Sequence, residues 1–414
     1  IPGGHLASAN DLKKAGLASF FTDMMIEDTK NYTAEQLAAE LQKLGSSISI
    51  YSDVDEVTYS VQSLKKNLDK TLKLLEERMR NPKFTQQSFD RLKKQALQSF
   101  KNAKAQPATI ANEVFAKLNY GGDHILGISQ NGTEETVGNI TLEDIQKYYN
   151  NYMTTMDAKV VVVGDIKQEE VLPKLAFLNK LPKKKINLQV PAMPKKVDKT
   201  KVYLVDVPKG AQTEFRIGYA TGLKYDATGE YYKSSLSNFT LGGGFSSRLN
   251  QNLREEKGWT YGASSSFRGD EYSGEYRFSS GIKADVTDSA LAEVMREINA
   301  YLKTGPTDEE IRFMKSAIGQ SDALRYETGA QKAQFIRRIL DYNLPANYTA
   351  AQAKILSSIT RADIMALANK HMNPSKLNIL LVGDKQKIID GVKNLGYEIV
   401  EVDADGNLID KKAF

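Results

Sequence analysis

Two short patterns recur in this chain at one spacing. Ile140-Thr141-Leu142-Glu143-Asp144-Ile145 returns as Ile359-Thr360-Arg361-Ala362-Asp363-Ile364, and Val163-Gly164-Asp165 returns as Val382-Gly383-Asp384, each 219 residues further on. Two matches at one offset, in the same order, mark an internal duplication. Each copy has the same physical content. A Thr followed three residues later by Asp has the spacing of a capping box, so a helix begins there. A β-rich apolar run follows, Lys159–Val163 in one copy and Leu377–Val382 in the other, and Gly-Asp ends it. Continuous apolar runs of this length suit strands covered on both faces.

The front of the chain supplies the rest of one copy. Thr33 and Gln36 form a further capping box, followed by a helix through Leu37, Leu41 and Leu44 that stops at Gly45. Ile48 and Ile50, then Val57, Tyr59 and Val61, alternate with polar residues as a half-buried hairpin does. Helices through Leu68–Met79, ended by Pro82, and through Phe89–Phe100 come next. Strands and bulky helices in blocks predict an α+β fold of two homologous αβ domains, each a mainly antiparallel sheet packed on helices. The domains are expected at residues 1–183 and 200–414. Between them, residues 184–199 with their Pro and Lys have a linker's composition. The lysine runs there read as a solvated connector, because no aromatics interleave to stack nucleic-acid bases.

Composition removes several chemistries. The 414 residues contain no cysteine, which excludes disulfides, zinc fingers, iron–sulfur clusters and thiol nucleophiles. The three histidines, His5, His124 and His371, lie more than 100 residues apart and read as surface or packing residues. A net charge of +5 over the whole chain is too dilute to argue for nucleic acid. No run of 18 apolar residues occurs, so no transmembrane helix is expected. Ile1-Pro2-Gly3-Gly4 has neither an initiator Met nor a signal-peptide pattern and reads as a processed start.

The second half carries Leu241-Gly242-Gly243-Gly244-Phe245-Ser246-Ser247-Arg248-Leu249-Asn250, then Gln251-Asn252-Leu253-Arg254-Glu255-Glu256-Lys257-Gly258-Trp259-Thr260-Tyr261. The glycines lack the spacing and the lysine of a phosphate-binding loop and read as a tight turn. The stretch resembles the pitrilysin/insulinase-type zinc peptidases, an inverzincin family that includes the mitochondrial processing peptidases. There a glycine-rich turn leads into Ser-Arg-Leu and then Arg-Glu-x-x-Gly-x-x-Tyr. The resemblance covers essentially the whole chain, including the helix–hairpin opening, the Asn81-Pro82-x-Phe84 turn and both Val-Gly-Asp ends. It implies the metalloenzyme LuxS/pitrilysin-like fold.

The family's catalytic motif is His-x-x-Glu-His on the first helix, two imidazoles that hold zinc and a glutamate that activates water. The corresponding residues here are Ser19, Thr22 and Asp23. The family's distant glutamate ligand falls at Gln98-Ser99, where no glutamate stands. Two hydroxyls and one carboxylate cannot build that centre. No catalytic residue and no metal site is therefore expected in this chain, with Ser19, Thr22, Asp23 and Ser99 at the degenerate positions. What remains is Arg254 and Tyr261. In the family, the equivalent pair reaches the zinc site of the other half, contacts the substrate backbone and helps stabilise the reacting carbonyl, a task suited to cationic and phenolic donors. On spacing alone, a salt bridge for Arg254 and core packing for Tyr261 is the alternative.

The reading that follows is a non-catalytic half of a zinc metallopeptidase, inactive alone and binding no cofactor itself. It pairs with a catalytic half that holds the zinc, either upstream on the same polypeptide or as a separate subunit. Arg254 and Tyr261, with Phe245, Ser246 and Ser247 at the rim, face an extended peptide substrate added to a sheet edge. A structural or peptide-binding family member with no proteolytic role is the rival. A hydrolase of another type finds no support, because no G-x-S-x-G elbow lies near a histidine. A periplasmic or cell-envelope location is expected, with the cytoplasm as alternative. Asn31, Asn131, Asn238 and Asn347 head glycosylation-like triplets of a kind that chance supplies.

Overall fold

The structure is a computed structural model that describes residues 1–189, 192–194 and 196–409. Val190, Pro191 and Lys195 of the expected linker lie outside the described residues. The chain forms two compact units. The first comprises Ile1–Asn102, Gly122–Pro191 and Thr328–Arg337, and the second Ala103–Gly121, Ala192–Glu327 and Arg338–Phe414.

In the first unit, helix α1 (Leu17–Met24) is central. Phe20, Phe21, Met24 and Met25 are almost fully buried, with Leu72, Leu75, Phe89, Ile140, Ile145 and Tyr148 in the same cluster. Phe20 meets Phe89 edge-on at 5.4 Å, and Phe21 meets Tyr148 at 4.6 Å between ring centres. Helix α2 (Ala34–Leu44) begins in the expected reciprocal box of Thr33 and Gln36 and ends at Gly45 in the left-handed region. Strands β1 (Ser47–Ser52) and β2 (Val57–Gln62) pair antiparallel from Ser47↔Gln62 to Ser52↔Val57, the hairpin read from alternation. Helices α3 (Leu68–Arg80) and α4 (Gln86–Ala103) follow, and helix Leu142–Tyr152 opens on the Thr141–Asp144 box.

One expected strand is absent. Lys159–Val163 forms no strand, and Val160 and Val162 are 54% and 45% exposed. Among the described residues this run belongs to neither sheet, and β-rich composition alone does not make a strand.

The second unit has a six-stranded sheet. In order its members are β5 (Thr260–Gly269), β6 (Gly274–Lys283), β4 (Gln212–Ala220), β7 (Asn378–Gly383), β3 (Lys201–Asp206) and β8 (Glu398–Val402). The β5–β6, β6–β4 and β4–β7 pairs are antiparallel, whereas β7–β3 and β3–β8 are parallel. β7 is the expected all-apolar central strand, buried throughout. One face packs Phe215, Ile217, Phe278, Ile379 and Leu381 against Leu291, Val294 and Ile298 of helix Thr287–Thr304. On the other face, Val205, Leu380 and Val382 meet Ile110, Val114 and Phe115 of helix α5 (Pro107–Tyr120). Residues from the first third of the chain thus complete the core of the second unit. Helix Arg361–His371 opens on the Thr360–Asp363 box, as the repeat predicts.

Candidate functional site

The positions of the family's zinc motif lie on α1 and α4 of the first unit. Thr22 is 4% exposed, and its hydroxyl donates to the Ser19 carbonyl at 2.7 Å. Ser19 Oγ donates to Asn131 Oδ1 at 2.9 Å. The Asn131-Gly132 loop lies over the start of α1, where a Cβ on Gly16 would meet the Asn131 carbonyl oxygen at 2.6 Å. Asp23 is exposed, and its carboxyl is raised by partial desolvation and by Glu27. Gln98 and Ser99 are exposed on α4, and Gln98 Nε2 donates to Asn102. No hydrogen bond joins Ser99 to α1 among the described residues.

This donor set does not fit zinc. One hydroxyl is committed to its own helix, the other to an asparagine, and the single carboxylate has no imidazole or thiolate beside it. Among the described residues no three His, Asp or Glu side chains stand close enough to hold a metal ion. Two arginines hold the end of α1 and the turn after it. Arg78, 3% exposed, donates to the Met25 carbonyl at 3.0 Å, where a cation suits a helix C-terminus, and Arg91 meets Glu27 at 2.5 Å. The histidines are structural. Buried His5 donates from Nε2 toward the carbonyls of Ile125 (2.8 Å) and Ile128 (3.1 Å), and burial lowers its pKa. His124 Nδ1 accepts from the Leu126 amide, and His371 Nε2 meets Glu230 at 2.5 Å.

The Arg254 locus lies in the second unit. Residues Phe239–Gly243 and Gln251–Glu256 are wide π-turns, a geometry that costs stability in an ordinary helix. Leu249, between them, and Leu253, within the second, are completely buried and pin the segment to the core. Asn250, which the sequence reading passed over, ties three parts together. Its Nδ2 donates to the Phe245 carbonyl at 2.7 Å, and its Oδ1 accepts from the Ala263 amide of β5 at 3.1 Å. Its only signal was its place directly after Ser-Arg-Leu. Arg248 is bidentate on Glu310 at 2.6 and 2.7 Å and also donates to the Gly305 carbonyl.

The result is a rim of mixed character. The Arg254 guanidinium lies over the Phe245 ring at 4.4 Å, with Glu255 3.5 Å from it. Phe245 is 64% exposed, and Ser246 is exposed beside it. Gly258, at φ +62°, ends the turn as expected, and Trp259 donates back to the Leu253 carbonyl. β5 then starts with a bulge between Thr260 and Ala263, where Thr260 Oγ1 receives the Gly262 amide. The bulge turns Tyr261 outward, leaving it 91% exposed. Tyr261 therefore fills no core. Ser247 is 2% exposed and stands inside the protein, apart from the exposed rim residues.

Comparison with known proteins places the chain in a family. Residues 1–124 match the family described as Insulinase (Peptidase family M16), and residues 139–318 match the Peptidase M16 inactive domain. The chain is 25% identical over 395 residues to a protein named "Non-peptidase homolog YmxG" from Helicobacter pylori, spanning 93% of this chain and 88% of that protein. A solved structure described as a peptidase M16 inactive domain from Pseudomonas fluorescens superposes with a TM-score of 0.81 at 26% identity, covering 92% of this chain and 90% of that one. The periplasmic protease PqqL from Escherichia coli shares the fold at a TM-score of 0.75 and 14% identity, over 92% of this chain and 42% of that one. The chain is a non-catalytic member of the M16, or insulinase, peptidase family.

Proposed function

We propose that this chain is the non-catalytic half of a zinc metallopeptidase. It lends Arg254 and Tyr261 to the zinc site of a catalytic partner half and walls the chamber that holds an extended peptide. Its domains, residues 1–183 and 200–414, derive from one duplicated unit. The observation that carries the reading is Tyr261. A phenol that is 91% exposed on a bulged strand, one turn beyond an arginine on a buried scaffold, has no packing role. A phenol and a guanidinium held this way can donate to a substrate carbonyl and to the negative charge that develops on it. Phe245 and Ser246 offer apolar and polar contact to the peptide beside them. The periplasmic neighbour PqqL supports an envelope location.

The rival, an assembly or scaffold role without proteolysis, draws support from Arg254 already having Phe245 and Glu255 as partners. One experiment separates the two. The chain is combined with its catalytic partner, and Arg254→Ala and Tyr261→Phe are compared with the unmodified chain for peptide cleavage and for complex formation. Loss of at least about tenfold in kcat/KM with assembly intact supports the proposal, since one removed transition-state donor costs that much or more. Unchanged turnover establishes the scaffold role.

A further inference from the structure

Among the described residues β5 is an end member of the six-stranded sheet, so its outward amides and carbonyls face no further strand. Two asparagine side chains take that place. Asn250 Oδ1 accepts from the Ala263 amide at 3.1 Å, and Asn238 Nδ2 donates to the Ser265 carbonyl at 2.6 Å. A side-chain amide carries the same donor and acceptor types as a peptide group, so each asparagine supplies one rung of a neighbouring strand. The two rungs lie two residues apart, the interval at which groups on one edge of a strand recur.

The Asn250 rung stands at the end of the bulge that carries Tyr261. The inner side of that bulge is fixed from β6, where the Ser280 hydroxyl stands 3.0 Å from Thr260 Oγ1 and 2.9 Å from the Gly262 carbonyl. The outer side, at Ala263, is held by Asn250. The other end of the same side chain, Nδ2, donates to the Phe245 carbonyl at 2.7 Å, and the Phe245 ring carries the Arg254 guanidinium. One amide thus joins the backbone beneath Tyr261 to the turn that steadies Arg254. Tyr261 has almost no buried surface of its own, so its placement has to come from the backbone that bears it. Asn250 is 4% exposed and reaches no peptide itself.

We propose that Asn250 is a positioning residue for the Arg254–Tyr261 pair. It fixes the Phe245 turn against the β5 bulge, so that both donors are held ready for a substrate carbonyl and need not be ordered at each turnover. This rests on the assignment of Arg254 and Tyr261 to substrate made above. The role needs an acceptor and a donor on one short side chain. Alanine offers neither. A carboxylate accepts from Ala263 but has no proton for the Phe245 carbonyl, whereas a carboxylic acid serves both.

Hydrogen exchange and kinetics on the full chain test this. In Asn250→Ala the Ala263 amide should exchange on the order of 10-fold to 100-fold faster, while the Phe278 amide of β6 stays protected and reports a folded sheet. With the catalytic partner and a quenched fluorescent peptide, the same variant should lose on the order of tenfold in kcat/KM, carried by kcat, with complex formation intact. In a chain that already carries Arg254→Ala and Tyr261→Phe, adding Asn250→Ala should change kcat/KM by less than about twofold, because a positioning residue acts only through what it positions. Asn250→Asp should match Asn250→Ala at pH 8 and recover toward the unmodified chain at pH 5, each rate taken relative to that chain at the same pH, as the buried carboxyl takes up its proton. If Phe278 also loses protection in Asn250→Ala, Asn250→Asp carries the test, and a deficit equal at the two pH values overturns the proposal. Full turnover in Asn250→Ala, where Arg254→Ala and Tyr261→Phe each lose activity, would overturn the positioning role and leave the assignment of that pair standing. Unchanged turnover in Arg254→Ala and Tyr261→Phe would remove that assignment and this proposal with it.

Discussion

The guanidinium carbon of Arg254 lies 4.4 Å from the centre of the Phe245 ring, so the arginine proposed to meet substrate is held by an exposed aromatic. Phe245 is 64% exposed and contributes little to the core. An exposed cation–π contact is worth about 0.5–1 kcal/mol. Phe245→Ala should therefore leave the unfolding free energy within about 1 kcal/mol of the unmodified chain. It should weaken peptide cleavage by the reconstituted pair roughly threefold to tenfold, through KM, because a freed arginine must be ordered on binding. Denaturant melts and steady-state kinetics read the two effects separately. A stability loss well above that figure would make the contact structural.

Arg248 and Glu310 carry a different load. The pair is bidentate and largely shielded, with Tyr301 stacked under the guanidinium at 5.2 Å. Burial alone would raise the Glu310 carboxyl, but the Arg248 hydrogen bonds and the Thr307 amide hold it below the ordinary carboxylate range. Arg248→Ala should cost about 2–3 kcal/mol in a urea melt, because it leaves a half-buried carboxylate unpaired. Arg248→Lys should recover only part of this, since an ammonium cannot span both oxygens and lacks a flat face for Tyr301.

Much of the fold was legible because it rests on local rules. The Thr33, Thr141 and Thr360 caps, the β1–β2 alternation and the apolar run of β7 each depend on residues a few positions apart. The poor donor quality of Ser19, Thr22 and Asp23 is a matter of residue identity and needs no neighbour to be read. What escaped depends on distant neighbours. Lys159–Val163 has the composition of β7 yet forms no strand among the described residues, and composition cannot say who stands alongside. Arg254 was open between a salt bridge and a functional role, and it has the first without losing access to solvent. Asn250 carries no signature of its own, because its value lies in joining Phe245 to Ala263 across a turn.

Of the three consecutive glycines, Gly242 is the one that geometry requires. A Cβ there would come within 2.6 Å of the Ser265 amide nitrogen and 2.1 Å of its hydroxyl. Ser265 cannot move aside cheaply. Its hydroxyl donates to Asn238 Oδ1 at 2.7 Å, and its carbonyl receives Asn238 Nδ2 at 2.6 Å. Gly242→Ala should lower stability by about 1–3 kcal/mol, the range for forcing extra volume into a packed site. Gly243→Ala, whose Cβ would stand no closer than 3.5 Å to its neighbours, should cost markedly less. The same clasp leaves Asn238 2% exposed, so mass spectrometry of the folded protein should find no glycan there even after expression in a glycosylating host.

Glu275 gives the second unit a pH dependence. It sits at the start of β6, where its Oε2 accepts from Asn119 of α5 at 3.0 Å and Asn119 Oδ1 accepts from Asn378 of β7. Burial pushes its carboxyl up to about 7, against the pull of Asn119 and of Arg268, which faces it across the β5–β6 ladder. Arg277 Nε stands 3.4 Å from Oε1, out of line for a hydrogen bond, and Tyr120 and Asp270 are the other titratable groups near this end of α5. An unfolded glutamate titrates near about 4.3. The folded state thus holds the proton more tightly. The resulting stabilisation is complete below the unfolded value and is lost as pH rises through about 7, for a total on the order of 3 kcal/mol. Glu275→Gln keeps an amide oxygen for Asn119 and removes the charge. Its melting temperature should exceed that of the unmodified chain at pH 8 and approach it at pH 5. Parallel melting curves for the two proteins across that interval would mean that Glu275 ionises without cost and that the arginines neutralise it fully.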